Sequence, residues 1–315
     1  MISSLLAPLR IGTRGSPLAL TQANIVLNLL KEKHPTDPAI QNAVLITVTT
    51  TGDRIRDRPL SEMGGKGLFS KELEQALQAN EIDCVVHSLK DMETVQPNDL
   101  TLCAFLNRED SRDVFLSPKA PSLNALPAGS IVGTCAPRRV AQILHHRPDL
   151  NCIPLRGNVD TRIRKLHDAE MDAIVLALAG LKRLGRQDEA TYVFSEQEIL
   201  PAVGQGVLTL QCRKSDTRTK NYLIPLNHEG TERCVTAERA LLLGLGGNCR
   251  TPIGGHAILQ NDGRIRLEAL LASLCGTTVH RTTQTGDDAY NLGISTAKIL
   301  KDMAGPNFWS DLCTS

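Results

Sequence analysis

Short apolar runs alternate along this chain with segments whose apolar residues recur at helical spacing, the pattern of strand–helix–strand units around mostly parallel sheets. Residues 9–13 predict a first strand, and Pro17 opens a helix at the position where its missing N–H costs nothing. Residues 44–49 predict the next strand. Gly64-Gly65-Lys66-Gly67-Leu68-Phe69 leads into a helix with Leu73 and Leu77 on one face, and Cys84–Ser88 reads as a buried strand that exits at Lys90 and Asp91. A second series follows the polar stretch 108–112. It has a strand over 130–134, a helix opening at Pro137, and apolar runs at 152–155 and 173–179 that feed Arg156–Arg162 and Gly180–Arg183. After 200–206 come a strand at 207–212, a helix at 236–245, a glycine-rich turn, strands around 264–271 and a last helix near 295–303. The fold class expected is α/β in three domains. Domain 1 takes 1–106 and 207–225, domain 2 takes 107–206, and 226–315 form a smaller α+β domain.

Length agrees with that division, since 315 residues exceed what one core usually serves. Charge does not point to nucleic acid: 35 basic against 34 acidic residues leave a net +1, so any anion site must be local. The longest apolar runs fall far short of the roughly 20 residues of a membrane-spanning helix. The start, Met1 to Leu6, lacks a basic flank before a long apolar run, so a soluble, cytoplasmic protein is expected. Nine cysteines lie scattered at 84, 103, 135, 152, 212, 234, 249, 275 and 313, without Cys-x-x-Cys spacing, and no histidine pair has His-x-x-x-His spacing. Neither a disulfide framework nor a metal site is expected.

The chemistry gathers at strand exits, where open α/β sheets bind ligands. Arg138, Arg139, Arg156, Arg162 and Arg183 all stand there, suited to grip carboxylates or phosphates with bidentate forks at helix starts. Arg14 with Ser16, Lys66 and Lys90 add the same kind of group. Each alone reads as a solvated surface charge; together, by their repeated placement, they read as a cradle for a polyanion. Asp91 is either a helix N-cap or an ionised carboxylate set among cations to stabilise a developing positive charge. His87 reads as a packed strand residue. Cys249 stands in Gly246-Gly247-Asn248-Cys249-Arg250-Thr251-Pro252-Ile253-Gly254-Gly255, too rich in turn formers for helix or strand. It is either a presented nucleophile or a buried thiol in a tight turn. The Gly64–Gly67 stretch is no P-loop, because Gly67 stands where the hydroxyl residue belongs. A non-catalytic two-lobed protein for a small polyanion explains the arginines but leaves Asp91 and Cys249 idle. An anion-binding transcription regulator lacks a basic helix-turn-helix.

Taken in order, Arg10 to Leu20, His87-Ser88-Leu89-Lys90-Asp91, Leu155-Arg156-Gly157-Asn158-Val159, Ala179 to Gly185, Leu200 to Gly206 and the Cys249 turn resemble the porphobilinogen deaminase (hydroxymethylbilane synthase) family over nearly the whole chain. The resemblance implies two periplasmic-binding-protein-like α/β lobes with mixed, mostly parallel sheets plus a third domain that carries a dipyrromethane cofactor on Cys249 through a thioether. Four porphobilinogen units are then added head to tail with release of ammonia, and water frees hydroxymethylbilane. Each pyrrole carries an acetate and a propionate, which gives the arginines their purpose. Position by position, Asp91 matches the catalytic carboxylate. Arg14, Ser16, Lys66, Lys90, Arg138, Arg139, Arg156, Arg162 and Arg183 match residues that hold cofactor or substrate. Gln22, Asp53 and Phe69 fall in matching segments without an assigned role. A cytoplasmic monomer with neither nucleic-acid nor membrane partner is implied. The chain departs from the family pattern at Glu62, at Glu93 where proline is usual, at Cys135-Ala136, and at Asn248 before the cysteine.

Overall fold

The computed structural model describes residues 7–54, 69–247, 251–306 and Phe308. Strands β1 (Arg10–Thr13), β2 (Val44–Thr47), β3 (Cys84–Ser88) and β4 (Leu100–Phe105) come first, with helices α1 (Pro17–Lys33), α2 (Pro38–Gln41), α3 (Thr51–Arg54) and α4 (Lys71–Gln78) between them. There follow β5 (Asp113–Leu116), β6 (Ile131–Gly133), β7 (Asn151–Ile153), β8 (Ala173–Ala177) and β9 (Tyr192–Val193), with α5 (Pro137–His146), α6 (Val159–His167) and α7 (Leu178–Arg183). The chain continues through β10 (Leu208–Arg213), α8 (Thr217–Leu223), α9 (Glu229–Leu245), β11 (Ile253–Leu259), β12 (Ile265–Ala272), β13 (Val279–Gly286) and α10 (Ala289–Ala304).

Three sheets result. The first has the order β2-β1-β3-β10-β4, and β10 runs antiparallel to both its neighbours while β1, β2 and β3 are parallel. The second repeats the plan as β7-β6-β8-β5-β9, with β5 as the antiparallel member. The third is the antiparallel meander β11-β12-β13. The architecture is α/β, two mostly parallel sheets plus a smaller sheet-and-helix domain.

Two compact units divide the chain. One comprises the residues up to Arg108 together with Val207–Glu232; the other comprises Glu109–Gly206 and the residues from Arg233 onward. In the first, α1 starts at Pro17 with Ser16 as its N-cap and presses Ala23, Val26 and Leu30 on Leu9 and Ile11. Each such leucine or valine contributes about 1.5–3 kcal/mol on leaving water. β3 lies inside its sheet with Cys84, Val85 and Val86 all buried, the reason its sequence opens on consecutive apolar residues and does not alternate.

In the second unit the meander packs against α10 through Leu267, Leu271, Leu292 and Leu300. It also meets α5 where Ala141 and Leu200 join Leu270 and Ala272. The β12–β13 hairpin docks its Gly276 carbonyl on His145 Nδ1 at 3.0 Å.

The structure corrects the sequence reading in places. Gly254 and Gly255 belong to β11 and not to a turn. A Cβ at Gly254 would stand 3.1 Å from Leu200, and one at Gly255 2.9 Å from Val203, so these glycines serve close approach within a strand. β8 ends at Ala177, and Leu178 and Ala179 already belong to α7. β4, β5, β9 and β13 were not legible from periodicity.

Candidate active site

In the first unit, β3 ends at Ser88 and the chain turns through a single 3₁₀ turn, Leu89–Asp91. Leu89 and Met92 are buried on either side, Leu89 N donates to Val207 O at 3.0 Å and Met92 N to Leu89 O at 3.0 Å. These anchors push the intervening Asp91 outward. Its carboxylate is exposed, and no described residue hydrogen-bonds it. It therefore does not cap a helix.

Asp91 lines a small cavity of about 30 Å³ with Arg14, Gln22, Phe69 and Ser88. Gln22 and Ser88 hydrogen-bond across it at 3.0 Å. Arg14 lies over the Phe69 ring, 4.2 Å from its centroid, and grips Asp53 with both Nε (3.2 Å) and Nη2 (2.5 Å). Burial pushes the Asp53 carboxyl up, but the bonds from Arg14 and from the Thr50 hydroxyl at 2.7 Å outweigh it and hold the group below the usual carboxylate value. Ser16 spends its hydroxyl on Ala19 N at 3.3 Å, and Lys90 is half-buried.

His87 is inside the sheet. Burial lowers its pKa to about 4, so the neutral ring donates to Gln211 Oε1 at 3.1 Å, whose amide donates to Gln96 at 2.8 Å and Glu74 at 3.2 Å. Acid–base work at neutral pH is outside its range.

In the second unit, Arg138 and Arg139 occupy the first turn of α5 and are only 4 % and 6 % exposed. Both point Nη2 at Asp113 on β5, each at 2.8 Å. The remaining Nη1 groups reach main-chain carbonyls, Arg138 to Leu200 O and Arg139 to Val175 O. Burial alone would raise the Asp113 carboxyl; the two guanidiniums overcome it and drive the group far below the ordinary range.

Arg156 and Arg162 flank the start of α6, which Asn158 caps through Thr161 N at 2.9 Å. Arg162 Nε donates to Gly157 O at 2.8 Å. Gly157 needs its φ of 117°, and a Cβ there would meet Thr161 at 2.8 Å. Arg183 ends α7 and donates to Gly206 O at 2.6 Å; burial lowers its pKa to about 10, and it stays charged at neutral pH.

Of the residues singled out by sequence, Lys66 and Cys249 lie outside the described residues, as do Glu62 and Asn248. On either side of Asn248 and Cys249, Gly246 lies at φ +69° just past α9 and β11 begins at Ile253. Asp53, Asp113 and Gln205 were not assigned roles from sequence. An acid at the head of an apolar run, as in Asp113-Val114-Phe115-Leu116, is the signal that marks Asp113 as buried.

An acid-bearing dipyrromethane fits this donor set. Among the described residues Arg156 Nη1 and Arg139 Nε are buried without a hydrogen-bond partner, and such cationic N–H groups can take an anionic acceptor. Among the described residues no group of His, Cys, Asp and Glu could hold a metal ion.

Comparison with known proteins gives the same direction. Residues 9–221 match the family model described as porphobilinogen deaminase, dipyromethane cofactor binding domain, and residues 232–302 match the porphobilinogen deaminase C-terminal domain. A porphobilinogen deaminase of Nitrobacter hamburgensis is 50 % identical over 302 residues, 95 % of each chain. A chloroplastic porphobilinogen deaminase of Oryza sativa subsp. japonica is 48 % identical over 309 residues, 96 % of this chain and 86 % of that one. Among solved structures, the methionine-binding protein MetQ aligns with 69 % of this chain and 89 % of its own at 13 % identity and a TM-score of 0.45. With two family models covering most of its length and relatives near half identity end to end, this chain belongs to the porphobilinogen deaminase family.

Proposed function

We propose that Asp91 is the catalytic carboxylate of this chain, that Cys249 is the attachment point of its cofactor, and that Arg14, Ser16, Lys66, Lys90, Arg138, Arg139, Arg156, Arg162 and Arg183 hold the acidic side chains of cofactor and substrate. The chain is a transferase of tetrapyrrole biosynthesis that joins four porphobilinogen molecules head to tail, releases ammonia at each addition and frees hydroxymethylbilane by hydrolysis. The dipyrromethane, once bound, supplies the nucleophilic pyrrole carbon to which the first unit is joined.

The observation that carries the assignment of Asp91 is its isolation as an acceptor. A carboxylate held on a hydrogen-bonded turn, partnered by no described residue and lining the cavity beside Arg14, is available to a cation that develops on the substrate as ammonia departs. The same oxygen accepts the proton lost when the new carbon–carbon bond restores the aromatic ring. The guanidiniums bind and orient. Their fork geometry fixes acetate and propionate groups, and this lowers the entropy cost of bringing the reacting carbons together. Phe69, stacked on Arg14, covers one face of that guanidinium.

The three-domain division of the sequence reading, a monomeric state and a cytoplasmic location belong to the same proposal. Among the described residues no helix is long and apolar enough to cross a membrane.

The test is Asp91→Asn. This near-isosteric change keeps the turn and removes the charge. It should leave the two-pyrrole mass on the protein and lower kcat by at least about 100-fold, the order of one lost electrostatic or acid–base contribution. Turnover within a factor of two of the native protein would remove Asp91 from the chemistry.

A further inference from the structure

Asp113 is fully buried and receives three side-chain donors: Arg138 Nη2 at 2.8 Å, Arg139 Nη2 at 2.8 Å and Gln205 Nε2 at 2.7 Å. Gln205, 1 % exposed, also donates to Ser111 O at 2.6 Å, so its amide is fixed from two sides. The segment before it is held as firmly. Leu200 O takes Gln142 Nε2 at 3.2 Å as well as Arg138 Nη1, and Leu200 N returns to Gln142 Oε1 at 2.7 Å. Both guanidinium planes are thereby set by β5, β8 and the 200–205 segment, and neither can rotate without breaking a buried bond.

The charge balance of this cluster is uneven. Two buried guanidiniums share one carboxylate, and among the described residues no other acid hydrogen-bonds either of them. A device built for stability alone would pair its charges, since an excess desolvated cation is costly. Among the described residues one positive charge is left over here, and Arg139 Nε is buried without an acceptor. That surplus is suited to an arriving anion.

We infer that Asp113 and Gln205 are positioning residues: they lock Arg138 and Arg139 side by side so that the leftover charge and the free Nε face the acidic side chains of the primer or the growing chain. The inference rests on the proposed role of those two arginines. Asp113 neither gives nor takes a proton in this scheme. It acts through the guanidiniums it holds.

Three variants test it: Gln205→Leu, which removes one donor to Asp113 and leaves every charge in place, Asp113→Asn, and Arg139→Leu as comparator. Each is purified at full length, and three quantities are read: Tm, the fraction of molecules bearing the two-pyrrole mass, and KM against kcat for porphobilinogen. For Gln205→Leu the expected result is a folded protein, with Tm within a few degrees of native, in which either the loaded fraction falls or KM rises at least about tenfold while kcat holds within about twofold. Contacts made equally before and at the transition state affect binding alone. Asp113→Asn should be mostly unloaded when folded; should it fail to fold, Gln205→Leu decides. Native loading and native KM in Gln205→Leu, with Arg139→Leu impaired, overturn the positioning role alone. Native behaviour in Arg139→Leu as well overturns the reading of the arginines on which it stands.

Discussion

Arg156 offers a prediction in which the sign of the effect should reverse with the state of the site. Its Nη1 is buried and has no acceptor among the described residues, and a buried donor left unsatisfied costs about 1–3 kcal/mol. In the Cys249→Ser background, where no thioether can form, the further change Arg156→Leu removes that donor while Leu keeps much of the aliphatic stem. Stability should rise by about 1–3 kcal/mol, or roughly 2–10 °C in Tm for units of this size. On the proposed role of Arg156 the same donor meets a carboxylate in the loaded protein, and losing that charge-assisted bond should cost about 1.5–3 kcal/mol. Calorimetry on the four proteins of this cycle reads both effects, and their difference isolates the coupling between Arg156 and the bound group. If Arg156→Leu changes stability by the same amount and in the same direction in both backgrounds, Nη1 is not reserved for the cofactor, and the reasoning from orphaned donors fails.

Two structural predictions accompany it. His87, with a folded pKa of about 4 against the ordinary 6.5, binds fewer protons than the unfolded chain between those values; stability should fall as pH drops through that window, by up to roughly 3 kcal/mol. Urea titrations from pH 8 to pH 4 should show a flatter acid limb for His87→Asn, which keeps a donor for Gln211; an unchanged limb would place the proton elsewhere. Gly276 sits at φ +73°, and a Cβ there would lie 2.3 Å from Ala141 O and 2.8 Å from His145 N, both main-chain atoms of α5. Gly276→Ala should therefore cost more than about 2 kcal/mol from backbone strain and forced displacement together. A Tm within a degree of native would show that the hairpin does not dock on α5.

The parts of the fold that could be read from the chain are those buried on both sides. Cys84–Ser88 was legible to the residue because its first four positions are buried, and Pro17 and Pro137 marked the starts of α1 and α5. Strands with mixed surroundings escaped notice. β4 pairs with only one neighbour and has half-exposed Thr101, Leu102 and Cys103, β5 opens with a buried aspartate, and β11 carries paired glycines that mimic a turn. The site followed the same logic. Arginines at strand exits were visible as a repeated placement, whereas their protein partners were not. Asp53 and Asp113 lie 39 residues from Arg14 and 26 residues from Arg139, and only folding shows that each acid is spoken for. Asp91 could be read as a candidate but not distinguished from an N-cap until its carboxylate was found without a partner in the described structure.

The central claim is that this chain works with a primer tethered to one thiol, and intact mass of freshly purified protein tests it most directly. Native material should be heavier than its sequence by two linked pyrroles, and Cys249→Ser should show the bare sequence mass and no turnover. Native protein that consumes porphobilinogen at the bare sequence mass would contradict it.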